Sequence, residues 1–177
     1  VSSAAGTYGS FTMDSAGKWT YTLNNGSSVV QALNEGETKT ETFVVKSADG
    51  TPHNVVITVK GTNDGAVIAG NNTGTTKEDV TLTSTGTLTV TDADAGQSSF
   101  QAVSSAAGTY GSFAMDSAGK WTYTLNNGSS VVQALNEGET KTETFVVKSA
   151  DGTPHNVVIT VKGTNDGAVI AGNDEGA

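Results

Sequence analysis

From Val80 to Asp92 the chain reads VTLTSTGTLTVTD, with Leu82, Leu88 and Val90 on one parity and threonines on the other. A two-residue period rich in β-branched residues predicts a half-buried strand. The period recurs downstream. SSFQAV (98–103) predicts a further short strand. TYGSFAM (109–115) and KWTYTL (120–125) flank DSAG, a hairpin turn with Gly119 at positive φ. In the second of these, Trp121, Tyr123 and Leu125 share one face. TKTETFVVKS (140–149) and PHNVVITVKG (154–163) flank ADGT, another hairpin. Phe145 pairs in parity with Val147, and Val157 with Ile159 and Val161. SVVQALNEG (130–138) breaks the period, and one helical turn is expected there. Seven or so short strands at this spacing predict an all-β fold, an immunoglobulin-like Greek-key β-sandwich.

Most of this pattern occurs twice. VSSAAGTYGSF begins at Val1 and again at Val103, an offset of 103 − 1 = 102 residues. Residues 1–71 and 103–173 then agree without a gap except at Thr12, which is Ala114 in the second copy. A period of this length is a whole domain rather than a solenoid turn. Three segments follow: 1–70 as the C-terminal part of one repeat, an incomplete sandwich; 71–172 as one full repeat; and 173–177 as the start of the next. The Thr12/Ala114 position lies between inward Phe113 and Met115, so it is expected to face solvent.

Charge narrows the partners. Nine lysines, no arginine and 18 acidic residues give a net charge of −9. Such a surface repels nucleic-acid phosphates and anionic lipid, and attracts cations. With no cysteine, disulfides and thiolate metal sites are excluded. No apolar span long enough for membrane insertion is present in this fragment.

The acidic positions are not scattered. TVTDADAG (89–96) holds Asp92 and Asp94, two apart and followed by Gly96. This pattern places hard oxygen ligands around Ca²⁺, which takes 6–8 of them, more than one short segment supplies. Three other segments are expected to converge on it: the linker GTNDG (61–65), KED (77–79) and SADG (149–152). Without a cation their carboxylates repel one another. With one they clamp the linker.

FVVKSADGTPHNVVITVKGTND resembles the last hairpin and linker of a cadherin repeat, and DAD at 92–94 the cadherin Asp-x-Asp motif. The whole period is closer still to the VCBS repeat of large bacterial RTX-type biofilm adhesins. The resemblance implies a tandem, cadherin-like sandwich, secreted or held on a bacterial surface and rigidified by Ca²⁺. By motif, Asp92 and Asp94 take the Asp-x-Asp role, Asp151 that of the strand-end aspartate, and Asn63 and Asp64 that of the linker. Glu78, or Glu35 of the preceding repeat, completes the shell. Gly61 and Gly65 replace linker ligands, and Asn34-Glu35-Gly36 replaces Asp-Arg-Glu, so one or two ions per junction are implied.

The expected role is that of a structural extender for cell adhesion and biofilm formation, with neighbouring repeats of the same chain as partners. The alternative is a carbohydrate-binding module gripping polysaccharide with Trp121 and Tyr123, although their parity with Leu125 places them in the core. No Ser/His/Asp grouping suggests an enzyme, and His155 shares the face of Val157 and Ile159 at the sandwich rim. Asn127-Gly-Ser matches a glycosylation sequon but reads as a turn. A sandwich lacking its first strands leaves Trp19, Tyr21, Phe43 and Val45 uncovered, so homo-association through the first copy is expected.

Overall fold

The computed structural model describes residues 2–172; the expectation for 173–177 lies outside the described residues. The elements in chain order are β1 (Ser2–Ala5), β2 (Gly9–Met13), β3 (Trp19–Leu23), α1 (Ser28–Gln31), β4 (Thr38–Lys46), β5 (Pro52–Lys60), β6 (Val67–Gly70), β7 (Thr73–Lys77), β8 (Thr83–Thr91), β9 (Val103–Ala107), β10 (Gly111–Met115), β11 (Lys120–Leu125), α2 (Ser130–Gln133), β12 (Thr140–Lys148) and β13 (Pro154–Lys162). The chain divides into two compact units. The first runs to Val67 and includes Thr91–Ser98; the second comprises Ile68–Val90 and the chain from Ser99 on.

The second unit is a β-sandwich. A five-stranded sheet, β6-β8-β11-β10-β9, packs on a three-stranded one, β12-β13-β7. Its core joins both inner faces: Leu88, Phe113, Met115, Trp121, Tyr123 and Leu125 from one, Phe145, Val147, Val157, Ile159 and Val161 from the other. The inward residues alternate along β11 and β13 as the period required. Phe113 and Phe145 stack across the core at 4.9 Å, and Gly119 has φ 84° in its hairpin turn. The single turn α2 buries Val132.

The sandwich is closed at both edges by chain that changes sheets. At Asn71–Asn72 the chain crosses over: the Asn71 N–H donates to the Thr87 carbonyl of one sheet, and the Asn72 carbonyl accepts from Val158 of the other. β6 therefore belongs to one sheet and β7, parallel to β13, to the other. At the opposite edge Phe100 bridges to Ser149, and β9 then pairs with β10. The predicted strand at 98–103 is thus corrected to a bridge followed by a strand at 103–107. The crossing is what interrupts it. Leu82, placed inward by parity, is 41% exposed because β8 starts only at Thr83.

The motif GTYG has a local cause. In the second unit the buried Glu143 carboxylate accepts the Tyr110 N–H. A Cβ on Gly108 would meet that carboxylate. In the first unit Glu41 accepts from Tyr8 N at 2.6 Å and from the Tyr21 hydroxyl at 2.9 Å. Burial first, then the Glu41 hydrogen bond and charge, push the Tyr21 phenol up to about 12. The first unit holds a three-stranded sheet, β1-β2-β3, and the pair β4-β5. Phe11 and Phe43 stack at the same 4.9 Å. Thr12 is exposed as expected, and Ala114 half-buried.

Candidate metal centre

β7 ends at Lys77 and the chain turns back at once, with Lys77 and Thr81 exchanging both backbone hydrogen bonds. The turn puts Asp79 at φ 57°, the left-handed region that suits Asp better than bulky residues. Asn127 pins it: its Oδ1 accepts the Asp79 N–H at 2.9 Å and its Nδ2 donates to Asp79 Oδ1 at 2.7 Å. Both polar atoms of the Asn127 amide are engaged, in keeping with a turn residue rather than a glycan carrier.

Glu78 N–H donates to the Lys162 carbonyl, extending the β7–β13 pairing by one residue. This directs the Glu78 side chain inward, where it is fully buried. Its Oε2 accepts from Thr164 N at 3.2 Å, whereas its Oε1 is buried with no hydrogen-bond partner. Asp166, just past β13, completes a three-carboxylate group: one oxygen each from Glu78, Asp79 and Asp166 lie within 4.8 Å of one another. Burial raises the Glu78 carboxyl above its usual range, and the neighbouring Asp166 and Asp79 charges add to this. Among the described residues no lysine forms an ion pair with the three; Lys77 pairs with Glu137 instead, at 3.5 Å.

The first unit gathers a second set. Asp94 is buried, and its Oδ2 accepts the backbone N–H of linker residue Asp64 at 2.8 Å. Asp92 Oδ1 accepts Asp94 N at 2.9 Å. Gln97 donates to Asn34 Oδ1 at 2.7 Å, and Asn63 N–H to Glu35 at 2.9 Å. Asp94 Oδ1 and Asp92 Oδ2 are buried without hydrogen-bond partners. Unpartnered buried carboxylate oxygens are costly, and here they recur at both acidic groups.

The structure thus assembles Asn63, Asp64, Asp92 and Asp94 with Glu35 in one unit. It places Glu78 with Asp79 and Asp166 in the other, where Asp166 is the counterpart of Asp64, 166 − 64 = 102 residues on. Asp151 sits in the β12–β13 turn, where its carboxylate accepts from Ser149 Oγ, Thr153 N and Thr153 Oγ1. The sequence places Asp79 in the converging KED segment, but the ligand role expected there falls on Glu78 alone, and Asp166 is not among the expected ligands. The repeat register marks Asp166 as the equivalent of Asp64; the sequence marks Asp79 only as part of KED, and its side-chain placement depends on Asn127. Trp121 and Tyr123 are 1% and 0% exposed, which removes them as a sugar platform. His155 is half-buried.

A sandwich with a split first strand and acidic groups at its linker residues defines an all-β repeat domain of cadherin-like type. The family model of the bacterial cadherin-like domain matches residues 63–163. That is more than half of the 177 residues, and the chain belongs to this family of structural and adhesion domains. No curated protein matches the chain. Among the described residues, no helix is long and apolar enough to cross a membrane.

Proposed function

We propose that the chain is part of an extracellular bacterial adhesin of the VCBS type, in which tandem repeats form a rod stiffened by Ca²⁺ at their linkers. The reading rests on one observation above the others: Glu78 is fully buried with its Oε1 unpartnered, and its carboxylate lies within 4.8 Å of two others. All the donors are oxygens, and carboxylate-rich oxygen sets suit a hard cation such as Ca²⁺. Glu78, Asp79 and Asp166 would hold an ion against the linker from the repeat that precedes it. Asp92 and Asp94, with Asp64, Asn63 and Glu35, would hold one from the loop that follows. Because Asp64 and Asp166 are equivalent, the two groups read as complementary sides of one kind of junction. A ligand role for Asp151 rests on the cadherin resemblance. The near identity of the two copies suits a part whose contribution is length. The bound ion would supply charge neutralisation; the chain itself orients the carboxylates, and buries those of Glu78 and Asp94.

The test is calorimetric unfolding with Ca²⁺ and with chelator at fixed pH. At free Ca²⁺ a hundredfold above Kd, linkage predicts about 2.7 kcal/mol of added stability per site. Asp166→Asn and Asp94→Asn should each remove part of that response. Superimposable curves with and without Ca²⁺ would overturn the proposal.

A further inference from the structure

Glycine follows asparagine at two places in the chain, Asn25-Gly26 and Asn127-Gly128. Asparagine is chemically labile, and most so before glycine, which has no side chain to block approach to the asparagine amide. Asn127 and Gly128 are the middle pair of a turn closed by the Ser129 N–H on the Asn126 carbonyl at 3.0 Å. Gly128 is exposed, and a Cβ there would meet nothing within 4 Å. Among the described residues its N–H has no hydrogen-bond acceptor. The Asn127 carbonyl accepts from Gln133 Nε2 at 2.8 Å, which fixes the peptide between the two residues. The Asn127 side chain is committed elsewhere. Its Oδ1 accepts from Asp79 N and its Nδ2 donates to Asp79 Oδ1, at 2.9 and 2.7 Å. Those two bonds hold Asp79 at φ 57° beside Glu78 and Asp166.

We infer that Asn127 is a deamidation site, that its hydrogen bonds to Asp79 restrain the reaction, and that the reaction releases the Asp79 turn. The Gly128 nitrogen, losing its proton, attacks Asn127 Cγ. The Cγ–Nδ2 bond breaks, and Nδ2 leaves with that proton as ammonia. Water then opens the cyclic imide at either carbonyl, to aspartate or to isoaspartate; nothing is oxidised or reduced. For Cγ to reach the Gly128 nitrogen the side chain must leave Asp79, so the reaction waits on local opening of the turn. The product cannot restore the link. Where Nδ2 donated to Asp79 Oδ1, an anionic oxygen now meets an anionic one, and repulsion replaces a charge-assisted hydrogen bond. Isoaspartate also adds a carbon to the backbone of the Asn126–Ser129 turn. Because the ammonia is lost to solvent the change runs one way, and the carboxylate group of Glu78, Asp79 and Asp166 loses a support as the chain ages. This inference does not depend on metal binding.

The experiment incubates the 177-residue chain in chelator at mildly alkaline pH, folded and in urea, and follows the amide-to-acid mass change and isoaspartate content over time. Cleavage after glutamate places Asn127 in fragment 79–137 and Asn25 in fragment 1–35, which differ in sequence and mass. In the folded chain Asn127 should convert, but roughly tenfold or more slowly than in urea, since two hydrogen bonds must first break, one of them to a carboxylate. Asp79→Gly, which keeps the positive φ and removes the carboxylate, should bring the folded rate towards the urea rate. Gly128→Ala should suppress the conversion and leave the melting temperature unchanged, because the site is open and its φ is not positive. Asn127→Asp, which encodes one product, should melt below the parent in chelator, whereas Asn25→Asp, the control for added charge alone, should melt with it. The inference is overturned if Asn127 keeps its amide in the folded chain, or if it converts there at the urea rate. It is overturned too if Asp79→Gly leaves the folded rate unchanged, or if Asn127→Asp melts with the parent.

Discussion

Glu78 carries a conflict that a single atom exchange can expose. Its carboxyl is raised because burial disfavours the charged form and Asp166 and Asp79 oppose it further. An acid whose folded value lies above its unfolded one costs stability above the folded value. That cost fades as pH falls through the folded value towards the ordinary 4.5. Glu78→Gln removes the ionisation. In chelator at neutral pH the variant should melt above the wild type, and the gap should close on acidification through that window. In Ca²⁺ the order should reverse, because the variant has lost an anionic ligand. Melting curves in both media across pH check this; a variant less stable than wild type in chelator as well would show that Glu78 is held by something other than a cation. At this scale the sequence was partly readable. Asp92 and Asp94 stood out because they are two apart before a glycine. Asp79 did not, because its conformation is fixed by an asparagine 48 residues away.

Among the elements, β11 and β3 are the same peptide with different neighbours. Trp121→Ala should cost about 3–5 kcal/mol, the usual range for emptying a buried aromatic site. Trp19→Ala should cost under about 1 kcal/mol, as for most exposed positions. Denaturant titration of the two variants measures the contrast, and equal losses would mean that Trp19 is covered in solution. The hairpins β10–β11 and β12–β13 were legible because alternation and turn chemistry agree in each. β6 and β7 were not. VIAG is too short to show a period, and TGTTK has no apolar residue at all, since its role is to pair with β13 and present small atoms to the core.

For the molecule as a whole, identical sequence should give unequal protection. Amides of β10–β11 are bonded within a closed sandwich; those of β2–β3 lie beside an open edge. Exchange tracks the free energy of local opening, so the second copy should exchange more slowly. The Thr12/Ala114 difference gives the two peptides distinct masses, and mass spectrometry can follow both in one sample. Equal rates would mean that the first unit is as well closed as the second.

The sequence by itself determined the all-β class, the 102-residue register, the inward faces of β11, β12 and β13, and the acidic loop and linker. Each of these is a matter of spacing along the chain, set by the two-residue period of a strand and the short reach of a turn. Only the tertiary structure decided where the chain changes sheets and which carboxylates meet. It also set how far the expected contrast between core Trp121 and uncovered Trp19 goes, 1% against 48% exposed. Those outcomes depend on edges and loops brought together across dozens of residues. Two copies of one sequence cannot differ by themselves; they differ because only one has β7 and β8 against it.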